Sequence, residues 1–200
     1  MKPVVFWIAA AGASVSGAAS AHVVLQEMEG RAAYQEYVTL VVPHGCGNSP
    51  TTEIRVKVPD GIPIVSPEQK PGWTLRITRR KLDTPQVGEG GTRVTDVVDQ
   101  VSWSGGNVPS DQMVRFTMLV RTPDTPDKIL YFKTIQKCAN EEVRWVDTVP
   151  DGEPAWKVWA RPAPSPFMVL KKADKPQLGA TMQQIAAERK KLGPATKPQP

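Results

Sequence analysis

The sequence predicts an all-β protein built as an antiparallel β-sandwich, followed by a short helical or disordered tail. Short apolar runs recur along the chain, and several alternate apolar and polar residues as half-buried strands do. Clusters of Pro, Gly, Asp and Asn separate the runs, and helical periodicity is scarce before residue 175. About eight short strands with turn signals between them favour a cupredoxin-like or immunoglobulin-like sandwich. A closed β-barrel is the alternative architecture.

The expected strands follow one another at short spacing. Ile54, Val56 and Val58 alternate with Arg55 and Lys57, which is the clearest period-2 pattern. PFMVL reads as a final strand and ATMQQIAAERKKL as one short helix, over 166–170 and 180–192. The eight earlier runs are HVVLQ (22–26), YVTLVVP (37–43), TEIRVKVP (52–59), WTLRITR (73–79), TDVVDQVSW (95–103), MVRFTMLVR (113–121), ILYFKTIQ (129–136) and VRWVD (143–147).

The first 21 residues have the order of a secretory signal peptide. Lys2 precedes an apolar run over 4–13, and the segment ends in Ala-Ser-Ala (19–21), an A-x-A cleavage triplet. The apolar run is too short to span a membrane as a helix, which takes about 20 residues. We therefore expect cleavage after Ala21 and a mature protein that is periplasmic or extracellular.

The predicted organisation has three parts: the signal peptide (1–21), one β-sandwich domain (22–170) and a basic, Pro-rich tail with a short helix (171–200). The formal net charge of the whole chain is +5. The tail alone carries seven basic and two acidic residues, so the sandwich is close to neutral. The basic balance therefore does not indicate a nucleic-acid partner. No transmembrane segment is expected in the mature chain.

Two cysteines, Cys46 and Cys138, lie 92 positions apart. In an exported protein a single cysteine pair favours a disulfide. Such a bridge would join the loop after the second strand to the end of a late strand. A metal site shared by a cysteine and His44 is the alternative.

Cleavage after Ala21 would make His22, one of two histidines in the chain, the first residue of the mature protein. A terminal histidine offers its α-amine and its ring Nδ1, which together close a chelate ring on a metal. Nitrogen donors in a square arrangement suit Cu²⁺. The amine must lose a proton before it binds, so binding weakens in acid. The methionines are scattered, so we expect Cu²⁺ to bind in preference to Cu⁺.

Several blocks of this chain occur together, in this order, in a known family. Over about residues 20–170 the sequence resembles the YcnI-like family of extracytoplasmic copper-binding proteins. The resemblance implies a cupredoxin-like or immunoglobulin-like sandwich and a role in copper handling. The matching blocks are HVVLQEMEG (22–30), VPHGCGNSPTTEIRVKVPDGI (42–62), KPGWTLRITR (70–79), VSWSGGNVP (101–109), Gln136-x-Cys138 and Val143-Arg144-Trp145.

The resemblance also implies a site in which His22 forms a histidine brace on one copper ion. By position, Glu29 completes this site and Trp145 packs beside it. Relatives often carry proline where Glu27 stands, so Glu27 is a second candidate carboxylate. Seven residues of straight strand span roughly 23 Å. Glu29 can therefore approach His22 only if the chain bends at Gly30 or before it.

His44, Trp73 and Trp103 are three further residues to which the sequence assigns a role. His44 lies in a turn beside Cys46, where it could hydrogen-bond within the turn or supply a second imidazole ligand. Trp73 and Trp103 are expected to face inward as core aromatics.

These features predict a non-enzymatic Cu²⁺-binding protein that buffers copper or delivers it to other copper-handling proteins of the cell envelope. A metal-independent interaction module is one alternative. A copper-dependent oxidase is another, but that chemistry normally uses a second histidine, which only His44 could supply. No G-x-S-x-G, P-loop or G-x-G-x-x-G context points to other enzyme classes.

Overall fold

Three β-sheets form the main body of the residues described by a computed structural model, namely 22–87, 92–177 and 182–192. The signal peptide predicted at 1–21 lies outside these residues. Among the described strands, every pairing is antiparallel except that of the second strand with the last. The structure therefore confirms the predicted all-β, antiparallel class.

Twelve strands lie within the described residues. The four-stranded sheet has the order β1-β3-β8-β5, the five-stranded sheet β11-β10-β4-β7-β6, and the three-stranded sheet β2-β12-β9. The strands are β1 (Val24–Leu25), β2 (Glu29–Arg31), β3 (Gln35–Val42), β4 (Thr51–Lys57), β5 (Ile64–Pro67), β6 (Thr74–Val87), β7 (Arg93–Val108), β8 (Val114–Arg121), β9 (Ile129–Tyr131), β10 (Thr134–Cys138), β11 (Glu142–Trp145) and β12 (Phe167–Lys171).

The hydrophobic core lies between the sheets because alternate residues of each strand point inward. Trp73 and Trp103 are both buried, as predicted, with ring centroids 4.9 Å and 5.1 Å from the Phe116 ring. Other core side chains come from strands of the two larger sheets, namely Val38, Leu40, Val42, Ile54, Val56, Val101, Val114, Met118 and Val120.

The predicted disulfide joins Cys46 to Cys138, whose Cα atoms are 6.1 Å apart. Cys46 lies between β3 and β4, and Cys138 ends β10. Both residues are buried, and the backbone N–H of Cys46 also donates a hydrogen bond to the Cys138 sulfur. The bridge therefore ties the loop before β4 to the end of its neighbouring strand.

The single strand predicted at 129–136 is wrong, because the structure divides it into β9 and β10 at Phe132 and Lys133. The backbone N–H of Phe132 donates to the Pro166 carbonyl beside the three-stranded sheet. The carbonyl of Lys133 accepts from Lys57 in the five-stranded sheet. The chain thus crosses from one sheet to another within a continuous apolar run.

The three-stranded sheet separates the main core from a second, smaller cluster. In β12, Met168 and Leu170 pack in the main core. Phe167 and Val169 belong to the second cluster, which also contains Val158 of a 3-10 helix (Ala155–Ala160). The final strand predicted at 166–170 is therefore present, with one face toward the core and the other toward this helix.

The C-terminal part contains the predicted short helix, α1 (Met182–Leu192). Before it, the chain lies against the sandwich, where the Tyr34 hydroxyl donates to the Lys175 carbonyl. The backbone N–H of Gln35 donates to Gln177 Oε1 over 2.7 Å. Within the described residues, no helix is long and apolar enough to cross a membrane.

Candidate metal centre

His22 lies two residues before the first strand, and the residues that follow it anchor it. Val24 pairs with Val41 and Leu25 with Leu40, which adds β1 to the edge of β3. Val23 and Leu25 are buried in the main core. The backbone after His22 is therefore held by both hydrogen bonds and apolar packing, and the His22 side chain is half-buried.

Two tryptophans contact the His22 imidazole. Its ring centroid is 5.3 Å from that of Trp145, and the two rings are almost perpendicular at 89°. The Trp159 ring lies 6.0 Å away, tilted by 42°. Both contacts place a large apolar ring beside the imidazole.

Trp145, which the resemblance implied as the neighbour of His22, ends β11 and is 6% exposed. Its indole N–H donates to Gln136 Oε1 over 3.2 Å. Gln136 is buried, and its Nε2 donates to the His44 carbonyl over 2.8 Å and to Thr51 Oγ1 over 2.9 Å. A chain of buried hydrogen bonds therefore supports Trp145 on the side of its indole nitrogen.

Trp159 was not predicted as a site residue. It lies on the 3-10 helix, is 37% exposed, and contacts the ring of Phe167 at 5.7 Å as well as that of His22. Its neighbour Trp156 is 64% exposed. Two tryptophans in AWKVWA were the available signal, but the sequence does not reveal that this segment folds back over the start of β1.

The small cluster beneath this helix includes one titratable group with a shifted pKa. Burial raises the pKa of the Tyr131 phenol above its ordinary value, and its hydroxyl accepts a hydrogen bond from the Val149 backbone N–H at 3.4 Å. Tyr131 and Phe167 are paired across β9 and β12, with ring centroids 6.3 Å apart. The phenol therefore stays neutral at physiological pH.

Glu29 begins β2 after bends at Gln26 and Met28. The chain thus bends between β1 and β2, before Gly30, and Glu29 as a ligand stays a prediction. Glu29 pairs in register with Val169, so its side chain lies on the face of the three-stranded sheet that packs under the 3-10 helix. It is 69% exposed and forms an ion pair of 3.1 Å with Lys171 Nζ.

The other two candidates have different surroundings. Glu27 lies in the bend and is exposed. The His44 ring donates a hydrogen bond from Nδ1 to the Gly45 carbonyl within the turn, and His44 meets Gln136 through its main-chain oxygen. Over the described ranges, no three side chains of His, Cys, Asp or Glu form a cluster that could hold a metal.

This chain resembles known proteins both in sequence and in fold. The chain is 29% identical over 112 residues to the copper-binding protein CutI of Bacillus subtilis (strain 168), which covers 55% of this chain. The match spans about half of that relative's length, 48%. The crystal structure of an uncharacterized protein from Nocardia farcinica, described as having an immunoglobulin-like fold, superimposes with a TM-score of 0.54 at 20% identity. That likeness covers 75% of this chain and 98% of the other, and it supports the immunoglobulin-like architecture.

Residues 22–167 match the family described as a domain of unknown function, DUF1775. The matched region begins at His22 and includes both cysteines, Glu29 and Trp145. It covers most of the chain, and it agrees with the resemblance seen in the sequence blocks. The chain therefore belongs to the DUF1775, or YcnI-like, family.

Proposed function

We propose that this protein is an exported, non-enzymatic Cu²⁺-binding protein that buffers or delivers copper. In this proposal His22 forms the histidine brace after cleavage at Ala21 frees its α-amine. The observation that carries the proposal is the contact of the His22 imidazole with the indoles of both Trp145 and Trp159. The name of the Bacillus relative, a copper-binding protein, supports the choice of metal.

The proposed donors are the α-amine and imidazole nitrogen of His22 together with one carboxylate. The amine is essential here, because the described side chains alone supply no cluster of three ligating residues. Glu29 is the preferred carboxylate, since it lies on the sheet face below the Trp159 helix. Glu27 is the alternative. A nitrogen-rich set of this kind favours Cu²⁺ over softer ions.

The two indoles would restrict the imidazole and exclude water beside it. Groups around metal ligands commonly tune affinity by fixing the orientation of the ligand. Trp159 and Glu29 remain partly open to solvent, so an acceptor could reach the ion without unfolding of the sandwich. This openness supports reversible binding of copper as cargo.

The decisive experiment compares the secreted mature protein, with His22 verified as its first residue, with a variant that has one glycine added before His22. Both are titrated with Cu²⁺ and studied by electron paramagnetic resonance. We expect tight one-to-one binding with nitrogen-rich square coordination in the mature protein, and its loss in the extended variant. Equal binding by the two proteins, or binding by neither, would refute the brace.

The absence of enzymatic activity is part of the proposal and needs its own test. The copper-loaded mature protein is incubated with a reductant and oxygen, and peroxide formation is compared with that of the His22→Ala variant. We expect equal, background rates. Peroxide production that depends on His22 would favour an oxidase instead. A phenotype of gene deletion that the His22→Ala variant fully complements would favour the metal-independent module.

A further inference from the structure

Gln136 is the central residue of the buried network behind Trp145. Each of its amide atoms faces partners that fix the orientation of the amide. The indole N–H of Trp145 can only donate, and it meets Oε1. The His44 carbonyl can only accept, and it meets Nε2, whose second proton goes to Thr51 Oγ1. A flipped amide would place donor against donor and acceptor against acceptor, so only one orientation is compatible with these partners.

The position of Gln136 follows from the register of the sheet. Thr134 pairs with Trp145 across β10 and β11, and Gln136 lies two residues further along β10 on the same face. Side chains placed diagonally on one face of neighbouring strands are within reach of each other when they are long. Gln136 therefore meets the indole nitrogen of Trp145 without any distortion of the strand.

The other end of the network is anchored by the disulfide. The His44 carbonyl that accepts from Gln136 lies two residues before Cys46. Cys138, to which Cys46 is bonded, lies two residues after Gln136 on β10. Gln136 thus connects a covalently tied loop to an aromatic ring that touches His22.

Loss of the Gln136 acceptor would leave the Trp145 N–H unpaired in a buried setting. An unpaired buried donor is unfavourable, so the indole would turn toward water or admit it. Trp145 meets His22 with nearly perpendicular rings, so any rotation of the indole changes the wall against which the imidazole rests. The orientation of the imidazole, and with it the chelate geometry, would become less defined.

We propose that Gln136 is a positioning residue of the copper site, acting on His22 through Trp145. This inference rests on the proposed function, because it assigns Gln136 a role in metal affinity as well as in stability. Gln136 itself does not touch the ion. Residues that support metal ligands without binding the metal themselves change metal affinity by about 10–100-fold when they are replaced.

The test uses the mature protein beginning at His22 in four forms: wild type, Gln136→Met, Trp145→Phe and the double variant. Trp145→Phe retains an aromatic ring beside His22 but lacks the N–H that Gln136 holds. Thr117→Val is the control, since Thr117 is half-buried on β8 and its hydroxyl bonds to the Thr39 hydroxyl, in a different sheet from Gln136 and Trp145. Cu²⁺ affinity is measured by competition titration, and the copper environment by electron paramagnetic resonance.

We expect Gln136→Met and Trp145→Phe each to weaken Cu²⁺ binding by about 10-fold and to shift the spectrum in the same direction. In the Trp145→Phe background, Gln136→Met should change affinity by less than about twofold, because the interaction it removes is already absent. Thr117→Val should leave affinity within about twofold of wild type. If Gln136→Met does not fold, Trp145→Phe alone still tests the expected loss.

A metal-free readout accompanies the titrations. Exchange of the Trp145 indole proton, followed by nuclear magnetic resonance, should be at least about 10-fold faster in Gln136→Met than in wild type, because its buried partner is gone. Wild-type affinity in Gln136→Met, or an equal loss in the Trp145→Phe background, would overturn the inference while leaving the proposed function intact. Failure of the wild-type protein to bind Cu²⁺ would overturn both.

Discussion

Replacement of Gly30 by alanine should disturb the pairing of β2 with β12, which carries Glu29. Gly30 pairs with Leu170 in parallel register, and its α-carbon faces the main core. A β-carbon built at this position would overlap the sulfur of Met168 and lie 3.2 Å from its Cγ and 3.3 Å from its Cε. The Met168 side chain therefore occupies the space that a methyl group at Gly30 would need.

The size of the effect follows from the burial of Met168. Only 1% of this residue is exposed, so its side chain has little free space into which to move. Overpacking a filled core typically costs about 1–3 kcal/mol. The backbone of Gly30 does not require a positive φ, so alanine should also restrict the unfolded chain favourably, by about 0.5–1 kcal/mol. We expect the steric term to dominate, with a net loss of about 1–2 kcal/mol.

Urea unfolding with the disulfide intact measures this loss, and a double-mutant cycle identifies its cause. Met168→Ala should itself cost about 2–5 kcal/mol by leaving a cavity. In that background the added methyl group occupies vacated space, so Gly30→Ala should become neutral or stabilise by up to about 1 kcal/mol. The same destabilisation by Gly30→Ala in both backgrounds would refute the steric argument, as would stabilisation in the wild-type background.

Three other predictions concern the disulfide, the ion pair of Glu29 and the phenol beneath the Trp159 helix. The Cys46→Ala/Cys138→Ala variant should lose about 4–5 kcal/mol in urea unfolding, because the bridge closes a loop over a sequence separation of 92; a loss below about 1 kcal/mol would contradict loop closure as its main effect. Lys171→Met should strengthen Cu²⁺ binding up to about fivefold if Glu29 is a ligand, because an exposed ion pair worth about 0.2–1 kcal/mol no longer competes; weaker Cu²⁺ binding in calorimetry would argue against Glu29. Burial raises the pKa of Tyr131, so the folded state holds that proton more tightly than the unfolded chain, and this stability is present below about pH 10 and lost above it. Urea midpoints should therefore fall more for wild type than for Tyr131→Phe between pH 9 and 11, and parallel falls would contradict the shift.

Local patterns along the sequence were sufficient to predict most strands. The alternation around Ile54 and Val56 corresponds to β4, and the run that ends in Trp103 lies in β7. Alternation is readable because one face of each strand is buried, which requires an apolar residue at every second position. This reasoning missed two strands, β2 and β5. β2 has three residues and includes Gly30, so it lacks both length and an apolar pattern.

The apolar run at 129–136 shows the limit of periodicity as a signal. Phe132 is fully buried and continues the apolar pattern, yet the chain changes sheets at this residue. A residue in the core satisfies the same hydrophobic preference whether its backbone pairs with one sheet or with another. Hydrogen-bond partners far along the chain, such as Lys57 and Pro166, decide which sheet the backbone joins. The residues next to Phe132 in the sequence do not specify this choice.

The candidate site likewise combines features that follow from the sequence with features that only the tertiary structure decided. By itself, the sequence determined that a histidine follows an Ala-Ser-Ala triplet, that two cysteines are available for one bridge, and that the strands are half-buried, because each of these depends on residue type and order alone. Only the tertiary structure decided that Trp159 lies against His22, that Gln136 holds Trp145, and that Glu29 faces the same side of its sheet as Phe167. These contacts join segments more than a hundred residues apart or on separate strands, and they result from sheet register and from how the 3-10 helix packs over β12. Such long-range choices depend on the packing of the whole core, and no local pattern of residues contains them.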